Sequence, residues 1–192
     1  VGEAEATRIK NHSASRGTAM HKFLEHHVLG TGYEDLTLIG NEARPMANKI
    51  IEVGLAPVAE YYGSEVMLHY PGLYAGSTDL ICLHNSKETV VDFKQSNRPK
   101  KKEWIEDYYL QISAYAMAHD YVYGSQIQQG VIMVCTPDLY YQEFKVEGLE
   151  LRKYKHKFLK RLDMYNELIH DEKERAKVDP DKLLKEFEKD KS

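Results

Sequence analysis

The sequence predicts an α/β fold, a mixed central β-sheet flanked by helices, and three observations carry that prediction. Residues 74–94 hold two short aliphatic runs around a polar Asn85-Ser86-Lys87-Glu88 break, which reads as an antiparallel hairpin. Gly130-Val131-Ile132-Met133-Val134-Cys135 is a continuous apolar run, as in a strand buried on both faces. Around these lie stretches with apolar residues at helical spacing. In chain order the elements read two helices, three strands, a helix, two strands and a final helix.

Residues 1–12 are polar and receive no element. Ser13 to Ser15 offer caps for a helix running from Arg16 to Leu29 and closed by Gly30, with Met20, Phe23, Leu24 and Val28 as its apolar stripe. Arg16-Gly17-Thr18 then stands at a helix start, a place suited to phosphate. Residues 31–42 read as a loop. Residues 43–62 read as a helix carrying Ile50, Ile51, Val53, Leu55 and Val58, kinked or split by Pro57. Glu65 to Tyr70 is a first strand ending at Pro71-Gly72. After the hairpin come a helix over 103–123, the buried strand, and an exposed strand from Tyr140 to Val146. An amphipathic helix over 149–170 follows, with Leu151, Tyr154, Phe158, Leu162 and Tyr165 on one side. Residues 1–170 are expected to be a single domain, and the densely charged 171–192 a helix or tail.

A chain of 192 residues suits one domain with a sizeable core. Its net charge of −4 argues against coating nucleic acid by bulk charge, though not against a local basic groove. The two cysteines, Cys82 and Cys135, fall inside expected strands and read as buried thiols of a reducing compartment. With no apolar run long enough to span a bilayer and no signal peptide, a soluble intracellular protein without a membrane partner is expected. No Gly-x-x-x-x-Gly-Lys loop is present, so a nucleotide cofactor or ATP-driven motor is not expected. The chain begins at Val1 without methionine, so an N-terminal portion is expected to be missing.

The chemistry centres on the hairpin. Asp79 begins its first strand and Asp92 lies near the end of the second; a buried carboxylate is costly unless something pairs with it. Antiparallel pairing across 85–88 sets position 79 roughly opposite 92, where two acids can share one cation. Lys94 lies two residues on, on the face of Asp92. Carboxylate oxygens suit Mg²⁺ or Mn²⁺. The following stretch, Gln95-Ser96-Asn97-Arg98-Pro99-Lys100-Lys101-Lys102, carries with Lys94 five positive charges and no acid. Beside two acids of this kind it reads as the wall of a phosphate-backbone groove, with Ser96, Arg98 and Lys101 as contacts. Trp104, the single tryptophan, either stacks on a base or anchors the next helix. His21 and Glu25 lie one turn apart, as a solvated pair on an isolated helix would.

Gly76-x-x-Asp79, a thirteen-residue gap and Asp92-Phe93-Lys94 resemble the core motif of the PD-(D/E)XK nucleases. Gly17-Thr18-x-x-His21-x-x-x-Glu25 is similar to the N-terminal helix motif of their RecB-like branch, and Gln111-x-x-x-Tyr115 to that branch's Gln-x-x-x-Tyr motif. Within the branch the chain looks most like the mitochondrial genome maintenance exonuclease group, the likeness covering roughly residues 16–165. Gln95-Ser96 departs from the Thr or Ser that often follows the lysine in relatives. The four cysteines of iron–sulfur members are lacking.

The resemblance implies the restriction-endonuclease-like fold and metal-assisted phosphodiester hydrolysis. His21, Asp79, Asp92 and the Phe93 carbonyl would hold Mg²⁺ or Mn²⁺, Lys94 would orient water or stabilise charge, and Gln111 and Tyr115 would support the site and its DNA. Glu65 approaches the metal in some members; a solvent-facing strand residue is an equal alternative. Arg16 and Thr18 would contact the backbone. The implied activity is a DNA exonuclease working from ends of single-stranded DNA. The alternatives are a structure-specific or double-strand endonuclease, a non-catalytic DNA-end-binding module on the same fold, and a structural helper in a larger complex. Polarity, RNA against DNA preference and oligomeric state have no signature in the sequence.

Overall fold

The structure is a computed structural model and describes residues 2–176. The chain divides into two compact units, residues 1–155 and 156–192. Helix α1 (Glu3–Val28) starts far earlier than the apolar stripe suggests, with Gly2 as its N-cap and no side-chain cap bond. Its first three turns are almost wholly solvated, so they leave no hydrophobic period to read; Ser13 to Ser15 are helix interior, and Arg16 is not at a terminus. Helix α2 (Leu38–Lys49) begins inside the expected loop, capped by the Thr37 hydroxyl, which accepts from the Gly40 N–H at 3.0 Å.

The expected helix over 43–62 is shorter. It ends at Lys49 and loosens into a π-turn over Ile50–Gly54. From Val58 the chain is already in strand β1 (Val58–Tyr70). Pro57 therefore separates helix from strand and kinks nothing. The run Ile50, Val53, Leu55, Val58 fits either period over so short a window, which is why it misleads. Strands β2 (Tyr74–His84) and β3 (Lys87–Gln95) form the expected hairpin. A short 3₁₀ turn at Lys102–Trp104 precedes α3 (Glu106–Tyr123), and β4 (Gln129–Cys135), β5 (Tyr141–Glu147) and α4 (Gly148–Ala176) complete the order. The first turns of α4, through Lys155, belong to the first unit. Of the charged 171–192 stretch, residues 171–176 continue α4 and the rest lie outside the described residues.

The five strands lie in sequence order, β1-β2-β3-β4-β5. All neighbours pair antiparallel except β3 and β4, which are parallel with Lys94 beside Val134. A parallel neighbour requires a crossover, and α3 supplies it. Strand alternation then gives the sheet two buried faces. Leu80, Cys82, Val91, Phe93, Val131, Met133 and Cys135 pack with Met20, Leu24, Met46 and Ile50 of the α1–α2 side. Ile81, Val90, Ile132 and Val134 pack with Ile105, Tyr109 and Ile112 of the α3 side, joined by Leu151. Every residue of β4 is buried, as its uninterrupted apolar run requires. No helix among the described residues is long and apolar enough to cross a membrane.

Gly130 sets how closely α3 approaches β4: a Cβ there would lie 2.9 Å from Ile112 Cγ2 and 3.1 Å from its Cδ1. Ile112 is fully buried and branched, with nowhere to withdraw. Gly130→Ala should therefore lower unfolding stability by about 1–3 kcal/mol, read as a fall in the urea midpoint at unchanged m-value.

Candidate active site

The site forms where the β2–β3 ladder ends. Backbone pairing stops at Leu80 opposite Val91. Beyond it side chains take over: the Asp79 carboxylate accepts the Phe93 N–H at 2.6 Å through Oδ2, and the Thr78 hydroxyl donates to the Val91 carbonyl at 3.4 Å. The strands thus part at a point where amides and carbonyls remain satisfied. Asp92 and Lys94 lie on the α3 face of β3, and α1 brings His21 from the other side.

His21 Nε2 lies 2.9 Å from the Phe93 carbonyl and Nδ1 lies 3.3 Å from Asp79 Oδ1. A carbonyl only accepts, so Nε2 carries a proton and Nδ1, on the Asp79 side, is the nitrogen free to act as a ligand. Burial disfavours the imidazolium, but the neighbouring Asp79 carboxylate, helped by Asp92, outweighs it and holds His21 above the usual histidine range. Lys94 Nζ lies 2.7 Å from Asp92 Oδ2 and 2.8 Å from Oδ1. Asp92 is only 3% exposed, and burial pushes its carboxyl up despite the offsetting ammonium. Burial works against the Lys94 charge as well, yet Asp92 prevails and keeps the ammonium above the usual lysine range. The same ammonium stands 5.3 Å from the centre of the Tyr108 ring.

Glu65 joins this group. Its carboxylate, His21 and Asp79 present ligand atoms that all lie within 4.8 Å of one another, a grouping able to hold a metal ion. Ser64 pairs with Leu80 and Val66 with Thr78, so Glu65 falls opposite Asp79. It has φ +50°, a left-handed conformation that a non-glycine residue adopts only under constraint. Burial, and then the Asp79 charge, hold its carboxyl above the usual range. Glu65 is exposed on the edge strand, yet its carboxylate stands with His21 and Asp79, so the two readings open in the sequence meet in one residue. What redirects it is this local distortion of an edge strand, for which the residue pattern has no signal.

The donor set fits a hard divalent cation. Besides those three groups, Asp92 Oδ2 is buried and accepts no directed hydrogen bond, the ammonium being well aligned only with Oδ1. The Phe93 carbonyl is also present, facing His21.

The remaining expected residues divide. Gln111 Nε2 donates to the Tyr115 hydroxyl at 3.0 Å, and Tyr115 lies against Gly76, where a Cβ would meet its Cε1 at 3.0 Å. The pair adjoins the site along α3, one turn beyond Tyr108. Thr18 lines a groove of about 460 Å³ along α1 together with His21, Lys22, Lys94 and Gln95, but its hydroxyl donates to the Ala14 carbonyl at 3.2 Å. Arg16 is 6% exposed and its guanidinium is engaged by Gln95, Asn97 and Glu42. It does not form the helix-terminal phosphate site that its sequence position suggested. Ser96 is buried and donates to the Arg98 carbonyl at 2.7 Å, closing the turn rather than lining its surface. Trp104 is 62% exposed, which removes the core-anchor reading, and Lys101 Nζ lies 5.0 Å from the centre of its ring. Gln142 of β5 fixes this basic loop by bonding both the Lys100 N–H, at 2.6 Å, and its carbonyl, at 2.9 Å. Lys22 and Tyr108 went unnoticed in the sequence, and Gln95 stood there only as a departure from the relatives' Thr or Ser; Lys22 and Gln95 come together only once α1 is laid against β3.

A mixed sheet with a helix crossover, and two acids and a lysine at its parted strands, makes this a PD-(D/E)XK-type core. The chain is similar to mitochondrial genome maintenance exonuclease 1 of Mus musculus, 33% identical over 177 residues that cover 87% of this chain. It spans half the length of that relative. Among solved structures, a candidate exonuclease of Eubacterium rectale shares the fold, with a TM-score of 0.55 at 14% identity over 85% of this chain and 69% of that one. An alkaline exonuclease of Laribacter hongkongensis aligns more loosely, with a TM-score of 0.32 at 15% identity over 83% and 85%. No protein-family model matches.

The strained φ of Glu65 yields a trade-off. Asparagine tolerates the left-handed region better, so Glu65→Asn should raise stability in chelator by about 1 kcal/mol. Its Mn²⁺ affinity should meanwhile fall about tenfold or more. Thermal unfolding and a calorimetric Mn²⁺ titration read the two effects, and unchanged metal affinity would remove Glu65 from the metal group.

Proposed function

We propose that the chain is a metal-dependent DNA exonuclease that hydrolyses phosphodiester bonds from ends of single-stranded DNA. The observation that carries this reading is the pair of buried Asp92 and half-buried Lys94, 2.7 Å apart, beside the His21–Glu65–Asp79 group at the parted strands. A structural ion pair has no need of three further ligand groups, and a simple cation site has no need of an adjacent ammonium. The similarity to an exonuclease supports the same reading.

Asp79, Asp92, Glu65 and His21, with the Phe93 carbonyl, would hold Mg²⁺ or Mn²⁺. A cation held there supplies Lewis-acid polarisation of the phosphate and a bound water of lowered pKa. The residues do the rest. Lys94, kept charged by Asp92 and fixed against Tyr108, stabilises the charge that gathers on the phosphorane oxygens. His21 must be neutral to act as a ligand, so metal and proton compete at Nδ1. Gln111 and Tyr115 hold the wall of the site next to Gly76. Arg98, Lys100 and Lys101 attract the phosphate backbone, and the exposed Trp104 ring offers a stacking surface that unpaired bases can use and paired ones cannot.

With Mg²⁺, an end-labelled single-stranded oligonucleotide should be degraded while a covalently closed circle resists. Lys94→Ala should slow hydrolysis about 10²–10³-fold at saturating DNA and leave metal binding intact. A near-native rate for that variant would reduce Lys94 to a groove residue and defeat the proposal, and equal rates on circle and linear strand would defeat its exonuclease part.

A further inference from the structure

We infer that Gln95, oriented by Arg16, is a phosphate-binding residue for the phosphodiester next to the scissile one, an inference that rests on the nuclease reading above. Strand alternation puts Gln95 on the face of β3 opposite Lys94, where it lines the groove along α1. Its side-chain oxygen accepts from Arg16 Nη2 at 3.0 Å and from Nε at 3.3 Å. A guanidinium has donors only, so this contact dictates the amide's orientation: oxygen to Arg16, NH₂ away from it. Among the described residues no group accepts from that NH₂. A half-buried donor pair left unmet beside a lysine and at the rim of a polar groove is placed for an anionic oxygen.

The surroundings hold this orientation. Arg16 is buried and cannot swing out, because Nη1 donates to Glu42 of α2 at 3.3 Å and Nη2 also bonds Asn97 Oδ1. Asn97 is held in turn by Ser13, to which its Nδ2 donates at 2.8 Å. Gly17 permits the approach, since a Cβ there would stand 3.2 Å from Gln95 Cγ. Arg16 is therefore a positioning residue. Its positive charge lies behind the amide, polarising the NH₂ toward the groove without meeting the substrate. Lys22, on the same wall, adds an exposed positive charge.

The test uses the full chain, Mg²⁺ and a single-stranded oligonucleotide, and reads KM and kcat separately. Gln95→Glu keeps a partner for Arg16, so it should fold with an unchanged melting temperature. It exchanges two donors for a negative charge, so KM should rise about tenfold or more, with kcat changed far less. Gln95→Ala and Arg16→Met should each raise KM, and the double variant should be no worse than the poorer single one. An unchanged KM for Gln95→Glu, or additive effects in the double variant, would overturn the inference. Should Arg16→Met fail to fold, Gln95→Glu decides alone. A native chain that neither binds nor cuts the oligonucleotide would instead sink the nuclease reading, a result distinct from native cleavage with an indifferent Gln95.

Discussion

The hydrogen bond from the Phe93 amide to the Asp79 carboxylate, 2.6 Å long, is the constraint on which the site depends. Two neighbouring strands cannot part inside a protein without leaving amides and carbonyls unmet, at a cost of about 1–3 kcal/mol for each buried group. Asp79 meets that requirement for the Phe93 amide with a charged acceptor, and its neighbour Thr78 meets it for the Val91 carbonyl with a hydroxyl. The parting opens a notch that a helix can enter. His21 enters it from α1 and meets both partners of the first contact, Nε2 bonding the Phe93 carbonyl and Nδ1 lying 3.3 Å from Asp79. The residue that ends the ladder is therefore also a candidate metal ligand, set against a second candidate, His21.

Around β3 the two faces of the sheet differ in exposure, with Lys94 reaching the groove on the α1 side as well. On the α3 side buried Asp92 and half-buried Lys94 pair against Tyr108, where low polarity strengthens every charge interaction. On the α1 side the groove is more open and holds Gln95, Lys22 and Glu25. Arg16 of α1 couples to the end of β3 through the neutral amides of Gln95 and Asn97, and reaches α2 through the Glu42 carboxylate.

The centre of the fold and most of the candidate site were legible in the sequence because they rest on short-range rules. Alternation fixed Asp92 and Lys94 on one face, the polar break fixed the hairpin, and antiparallel pairing put Asp79 level with Asp92. What escaped depends on long-range contacts or local distortion. Nothing in the polar first turns of α1 distinguishes a solvated helix from a loop. Glu65, left between two readings in the sequence, turns on one unusual backbone angle, and Arg16 reads as a phosphate contact at a helix start until Gln95, far along the chain, is brought beside it. Ser96 shows the converse: a hydroxyl in a basic loop reads as a phosphate contact, yet it bonds the backbone of its own turn.

The central claim is that the parted strands hold a divalent metal between Asp79 and Asp92. The direct measurement is a crystal soaked in Mn²⁺, with diffraction recorded on both sides of the manganese absorption edge. The account predicts an anomalous peak in the notch within coordinating distance of Asp79, Asp92 and His21, and its loss in Asp79→Ala. A saturating soak that leaves the notch without a peak, or that binds manganese only elsewhere, would contradict it.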